Sequence, residues 1–326
     1  MKTTKMFFSV IIPVYNKIDH VERAICSVCN QGFTDWELLL VDDGSTDGCQ
    51  ELIRSYQSAK VRVFYRKKPG PGGYAARNLG IENSRGEWIA FLDADDEWLP
   101  QYLENTFNLI NQFPSASMTG CPWYISKGQN RSLSPLGKKR RTYCLMTPEE
   151  YLRIQASGVD VVNTNVTTVR RSLLTQVGGF PMSGANCQRA GDGKTWLRCV
   201  LTGAHIAWRP EPGAVYWQDA QNMVTRKRSY PLSENCLINF LENAVKDKKY
   251  SLDQRKLLKK YRDTRVISHL FQRVSTGEVS SDCLRKALQC RSIDLRVVIL
   301  FVAFLMPTIG KLIFSTKRLL TGVQTQ

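Results

Sequence analysis

The chain has 326 residues, 43% of them hydrophobic and 23% charged, with 22 Gly and 13 Pro. That composition excludes a disordered or collagen-like polymer and leaves chain enough for one large core or two modest ones. The formal net charge is +16, which asks for an anionic partner, but it is unevenly placed: 25 basic against 21 acidic side chains over residues 1–225, and 20 against 8 over 226–326.

In chain order, Lys2 and Lys5 before the apolar run 6–12 mimic a secretory leader. Pro13 ends the run early and no small-residue cleavage site follows, so a buried first strand over 8–13 is expected. Residues 19–30 have helical periodicity, with Val21, Ile25 and Val28 on one face. Cys26-Ser-Val-Cys29 within it has redox or zinc spacing, but lacks a second pair or clustered His, so both cysteines are expected to pack as small apolar residues. The ten cysteines show no disulfide framework, and free thiols suit a reducing, cytoplasmic compartment. A second strand over 36–41 ends in Asp42-Asp-Gly-Ser45. A helix over 46–58 follows, with Thr46 or Asp47 near its cap. A third strand over 61–65 leads through Gly70, Gly72 and Gly73 to a helix over 74–83. A fourth strand over 88–92 stops at Asp93-Ala-Asp-Asp96.

Strand–helix–strand repetition with apolar strands predicts a parallel sheet covered on both faces, with ligands beyond the carboxyl ends of its strands. The second and fourth strands both end in aspartates, so both acidic clusters open at one sheet edge. Asp93 and Asp95 form a D-x-D pair able to hold Mg²⁺ or Mn²⁺ while leaving positions for phosphate oxygens; alone, such a pair is a common acidic turn. Asp96 is a further site residue or the cap of a helix starting near Trp98. Asp42 and Asp43 either build a turn with Gly44 and Ser45 or accept the N–H of a nucleobase. The glycines at 70, 72 and 73 let backbone approach a phosphate, with Arg77 as a nearby cation; no Walker or G-x-G-x-x-G pattern occurs.

From about residue 226 the character changes. Residues 251–274 read as a basic helix carrying Arg255, Lys256, Lys259, Lys260, Arg262, Arg265 and Arg273. Leu257, Leu258, Tyr261, Ile267, Leu270 and Phe271 supply its apolar side. A second helical stretch runs from about 281 to 289. Ten unbroken apolar residues, 297–306, lie between Arg296 and Pro307, short of the roughly 20 that a spanning helix needs.

Four motifs taken together carry a resemblance. Phe8-Ser-Val-Ile-Ile-Pro-Val-Tyr-Asn16, Val41-Asp-Asp-Gly-Ser-Thr-Asp47, Ala76-Arg-Asn-Leu-Gly80 and Gly86-Glu-Trp-Ile-Ala-Phe-Leu-Asp-Ala-Asp-Asp96 resemble those of family 2 glycosyltransferases, in that family's order and spacing over residues 8–98. The resemblance implies an α/β nucleotide-diphosphosugar transferase (GT-A) fold, a Rossmann-like mixed sheet with helices on both faces. It implies a catalytic domain over 1–225, with a nucleotide-sugar half to about 98 and an acceptor half over 99–225. A basic, mainly helical region over 226–326 follows. Pro13 and Tyr15 fall where the family lines the base pocket, and Asp42 and Asp43 on its base-reading pair, with either able to make the contact. Arg77 falls near the diphosphate and Asp93 and Asp95 on the metal motif, Asp95 as the direct ligand.

Two departures from the pattern stand out. After Gly178-Gly-Phe180, Asp192 takes the position of the family's catalytic base, with Trp196 and Leu197 on the ensuing helix. Gly191 stands where an acidic partner is usual, and a helix N-cap is the bland alternative for Asp192. Tyr216-Trp-Gln-Asp-Ala-Gln-Asn222 lacks the family's Arg-x-His element, for which Asn222 or Arg226-Lys-Arg228 are candidate substitutes. The Gln-x-x-Arg-Trp motif of processive members is also absent.

The function implied is inverting, Mg²⁺- or Mn²⁺-dependent transfer of one sugar from a nucleotide-sugar donor, expected to be a UDP-sugar. The expected acceptor is a saccharide hydroxyl, polyprenyl-diphosphate-linked, in bacterial surface polysaccharide assembly (O-antigen, capsule or exopolysaccharide). The rivals are a nucleotidyltransferase and a non-catalytic nucleotide-sugar-binding protein of the same fold. No nucleic-acid recognition module is found. The basic tail is either a solvated helical face or a contact with an anionic membrane surface, which would place a cytoplasmic enzyme on the inner leaflet.

Overall fold

Four apolar runs become the strands β1 (Phe8–Val14), β2 (Trp36–Asp42), β3 (Val61–Tyr65) and β4 (Trp88–Phe91). Helices α1 (Val21–Cys29), α2 (Cys49–Ser55) and α3 (Tyr74–Asn83) separate them. The computed structural model describes residues 6–181, 187–218 and 230–275, with positions 287 and 290. It divides into a first unit, Met1–Tyr151 with Val159–Asn222, and a second, Leu152–Gly158 with Met223–Gln326.

In the first unit β2 is buried throughout and β1 at every residue but Pro13, which is why both read as mainly apolar runs rather than alternating ones. β1 pairs in parallel with β2 (Phe8 opposite Trp36, Val14 opposite Asp42) and with β4 (Phe8 opposite Trp88), and β2 pairs in parallel with β3. The carboxyl ends of β2 and β4 therefore do open at one edge. α1 buries Val21, Ala24, Ile25 and Val28. Cys26 is half-buried and Cys29 exposed, so neither packs in the core as expected; both lie off the buried face. Free thiols are not found throughout, because Cys187 and Cys236 are disulfide-bonded.

The rest of the unit adds β5 (Glu97–Trp98), α4 (Tyr102–Gln112), β6 (Ala116–Gly120), β7 (Trp123–Lys127), β8 (Asn130–Leu133), α5 (Pro135–Lys139), β9 (Cys144–Met146), α6 (Pro148–Ala156), β10 (Thr168–Arg170), α7 (Arg171–Gln176), α8 (Gly191–Leu201), β11 (His205–Trp208) and β12 (Ala214–Trp217). Residues of α6 from Leu152 onward belong to the second unit. The main sheet has the order β3-β2-β1-β4-β10-β6-β11-β9, and a second has β5-β12-β7-β8. The main sheet is mixed, because β10 runs antiparallel to β4 and β6, and β9 antiparallel to β11. The helix expected near Trp98 begins at Tyr102 instead, since Glu97 and Trp98 are taken up as a strand beside β12.

At the opposite end of β1 and β2 a buried polar knot interrupts the apolar pattern. Ser9 and Glu37 are register partners, and the Ser9 hydroxyl donates to Glu37 Oε1 at 2.7 Å. The same Glu37 oxygen accepts the Arg85 N–H at 2.6 Å, and Arg62 donates to Oε2 at 3.1 Å. The Gly86 N–H donates to Ser9 Oγ at 2.8 Å. A Cβ on Gly86 would stand 2.4 Å from the Ser9 nitrogen and 2.6 Å from the Phe8 carbonyl carbon. Backbone cannot yield as a flexible side chain does, so Gly86→Ala is expected to destabilise by about 3 kcal/mol, the upper end for overpacking. A denaturant midpoint within error of wild type would refute this.

In the second unit α9 (Cys236–Lys246) and α10 (Leu252–Ser275) pack together, with Leu232, Ile238, Val266, Ile267 and Leu270 in one core. The Thr264 hydroxyl of α10 donates to the Ala156 carbonyl at 2.8 Å. Ile267, Leu270 and Phe271 of the apolar side of α10 are thus spent in this core, while Lys256 and Lys260 are exposed. No helix among the described residues is long and apolar enough to cross a membrane. Asn222, the Arg226-Lys-Arg228 run, the 281–289 stretch apart from Ala287, and the 297–306 run lie outside the described residues.

Candidate active site

The loop after β1 is the first wall of the site. Pro13 is half-buried and Tyr15 is 46% exposed. Asn16 takes a left-handed φ of 51° and accepts the Thr46 N–H at 2.8 Å through its side-chain oxygen, while its own N–H donates to Ser45 Oγ at 3.0 Å. The two loops are therefore laced together at the sheet edge. The helix cap expected of Thr46 or Asp47 is only partly met. Gly48 holds the cap position, and the Asp47 carboxylate accepts N–H bonds from Cys49 at 3.1 Å and Ile18 at 2.9 Å.

The paired aspartates after β2 divide their work. Asp42 accepts from the Gly44 N–H at 3.0 Å, the Ser45 N–H at 3.2 Å and Gln50 Nε2 at 2.9 Å, so its carboxylate is spent on its own turn. Asp43 accepts from Arg66 and from the Gly70 N–H at 3.0 Å. Burial pushes the Asp43 carboxyl up, against the lowering effect of that N–H and of the Arg66 guanidinium.

At the end of β4, Asp93 is ion-paired with Arg77 and Asp95 with Lys17, the latter at 2.8 Å. Arg77, only 6% exposed, also donates to the Gly72 carbonyl at 2.6 Å and lies over the Phe180 ring at 5.4 Å. Burial raises the Asp93 carboxyl; Arg77 opposes this, and the charges of Asp95 and Asp192 reinforce it. Arg23 donates to the Asp95 carbonyl at 2.5 Å and lies 4.8 Å from the Trp217 ring. Asp96 is neither a cap nor open to solvent. It is fully buried, accepts from Asn165 Nδ2 and from the Trp217 N–H at 2.8 Å, and burial with its two acidic neighbours holds its carboxyl well up.

Asp192 is the second residue of α8, and Ala190 holds the cap position, so the N-cap reading of Asp192 fails. Its carboxylate accepts from the Thr164 hydroxyl at 3.3 Å. Next to Thr164, Asn165 accepts the Asp93 N–H at 2.7 Å through Oδ1. A 3-10 turn, Thr164–Val166, therefore bridges the D-x-D loop and the base position. The Gly-Gly-Phe segment is fixed by Asn78, which donates to the Phe180 carbonyl at 3.0 Å and accepts the Phe180 N–H at 2.8 Å. Gly179 has φ +63°, and a Cβ there would meet Asn78 Oδ1 at 2.6 Å, so glycine is required by both backbone and space. The Phe180 ring sits 5.3 Å from Phe91 of β4 and 5.5 Å from Trp196 of α8.

Sequence reasoning missed Lys17, Arg23, Thr164 and Asn165. The two cations follow the first motif closely, where a charged residue reads as solvated surface. The other two sit in a short polar stretch without periodicity.

Among the described residues no group of three or more His, Cys, Asp or Glu side chains could cage an ion. Asp93 and Asp95 nonetheless suit a hard cation shared with phosphate oxygens, for which one or two carboxylates suffice. Each carries a cationic partner here, as two neighbouring carboxylates require.

A family model, Glycosyl transferase family 2, matches residues 9–174. A Bacillus subtilis (strain 168) glycosyltransferase, TuaG, provisionally named for teichuronic acid biosynthesis, is 36% identical over 123 residues, 37% of this chain and 48% of TuaG. The chain thus spans about half the length of that relative. The crystal structure of S. aureus TarS 1-349 in complex with UDP-GlcNAc matches with TM-score 0.65 at 17% identity, over 97% of this chain and 92% of that one. The mannosyltransferase PcManGT from Pyrobaculum calidifontis, in complex with GDP-Man and Mn²⁺, matches with TM-score 0.57 at 17% identity, over 99% and 89%. The two structures share the GT-A fold with this chain, and the family model covers half of it; the chain belongs to glycosyl transferase family 2.

Proposed function

We propose that the chain is an inverting, metal-dependent glycosyltransferase that adds one sugar from a nucleoside-diphosphate donor to a hydroxyl of a saccharide acceptor. The observation that carries this is the convergence of Arg77, Asp93, Asp95 and Asp192 at one edge of the sheet. Asp192 accepts the proton of the acceptor hydroxyl as that oxygen attacks the anomeric carbon. A single attack on one face inverts the configuration. Arg77 faces the developing diphosphate charge with Asp93, and Pro13 and Tyr15 flank the base, with Asp43 turned toward the Arg66–Gly70 side of that pocket. A divalent ion, Mg²⁺ or Mn²⁺, held by Asp95 and Asp93 would neutralise charge on the leaving group. UDP is the nucleotide proposed here, as in the TarS complex; the PcManGT complex holds GDP-Man.

The function assigns residues 1–225 to catalysis and 226–326 to placement. A polyprenyl-diphosphate-linked acceptor on a cytoplasmic, anionic membrane surface suits the exposed Lys256 and Lys260 of α10. Flotation with acidic vesicles, absent with neutral ones, is the expected result; no flotation with either removes the membrane claim.

Incubation with a panel of nucleotide sugars, with product stereochemistry read by NMR, tests the reaction itself. One donor consumed with inverted product is expected. Release of sugar 1-phosphate would indicate nucleotidyl transfer, and binding without turnover a non-catalytic protein.

A further inference from the structure

Gly191, immediately before Asp192, offers no side chain to hold it, and the structure shows what fills the space. A Cβ on Gly191 would come within 2.5 Å of Tyr74 Cζ and 2.8 Å of Cε2, and a Cβ on Gly72 within 2.5 Å of the same Cζ. The Tyr74 ring, 5% exposed, is thus pressed between two glycines, and it lies parallel to the Phe180 ring at 6.2 Å. Its oxygen accepts the Gly191 N–H at 2.8 Å. That N–H is one of the donors a helix leaves unpaired at its start, and no side chain at the cap position serves α8. Burial, and then the charge of Asp192, push the phenol far up, so it stays neutral and keeps its own proton while its oxygen accepts.

We propose that Tyr74 is a positioning residue for the base. By holding the Gly191 amide it fixes the first turn of α8, and through it the Asp192 carboxylate, in the role that an acidic neighbour of the base would otherwise fill. It acts from α3, the helix that carries Arg77, so the phosphate-facing cation and the base are set by one element. The inference rests on the assignment of Asp192 as base.

Tyr74→Phe keeps the ring between its glycines and removes only the acceptor. Amide exchange at Gly191, followed by NMR, is expected to quicken about tenfold, as for the loss of one buried hydrogen bond. With the donor found by the panel, kcat should fall about tenfold while donor KM and calorimetric UDP affinity stay within about twofold. Gly191→Glu, where the ring still stands, should lose turnover. Unchanged exchange, wild-type kcat in Tyr74→Phe, or kcat and KM falling together with melting temperature would each overturn the proposal. A wild-type chain inert toward every donor would sink the glycosyl-transfer reading and this inference with it, whatever the exchange shows.

Discussion

Asp192→Asn is expected to lower kcat about 10³-fold, within the range a positioned general base supplies, while UDP-sugar affinity stays within about twofold. Asn is isosteric, and its side-chain oxygen can still accept the Thr164 hydroxyl, which now reaches Asp192 at 3.3 Å. The surroundings do not depend on the charge. The helix start is held by Tyr74, and the preceding segment by Asn78 on Phe180 and by Arg198 on the Gly179 carbonyl at 3.4 Å. What Asn lacks is a lone pair basic enough to take the acceptor's proton. Calorimetry beside a turnover assay separates the outcomes: a variant that binds donor normally and does not transfer places the residue on the reaction, whereas full turnover moves the base elsewhere. A variant that neither binds nor transfers would mean that Asp192 shapes the donor pocket instead.

The parallel core was legible because burial on both faces leaves β1 and β2 apolar apart from the Ser9–Glu37 pair and Asp42 at the strand end. That pair had no signal of its own, since a buried carboxylate is recognised only by its partners, here Arg62 and the Arg85 amide from distant parts of the chain. The helix start at 102 was misplaced for a related reason: Glu97 and Trp98 become a strand only because β12, more than a hundred residues on, lies beside them. Of the candidate site, the place of Asp93 and Asp95 just past the end of β4 was legible, because an acidic pair after a buried apolar run marks a strand end. The site was not legible where a residue acts through another. Asn165, between Asp93 and Asp96, belongs to no periodic element, and Tyr74 reads as an ordinary helix-start residue until Gly191 is brought against it.

Asp95→Ala should abolish both transfer and the stimulation of nucleotide binding by Mn²⁺. Two anionic side chains close together are tolerated at the end of β4 because Arg77 covers one and Lys17 the other. Of the two cations Arg77 is the more deeply fixed, by the Gly72 carbonyl and the Phe180 ring as well as by Asp93. Lys17 reaches Asp95 from a loop on a flexible stem, so Asp95 is the carboxylate whose partner can be exchanged for a divalent ion at little cost. The measurement is a UDP titration with and without Mn²⁺, in wild type and variant. Wild type should bind about tenfold or more tightly with the ion, as expected where metal and phosphate share a site. Asp95→Ala should bind equally weakly in both conditions, with a lowered melting temperature as well, because the Asp95 side chain is only 13% exposed and its loss takes away a partner of the equally buried Lys17. Mn²⁺ stimulation that survives the substitution would assign the ion to Asp93 alone or to residues outside this edge, and the diphosphate would then be neutralised chiefly by Arg77.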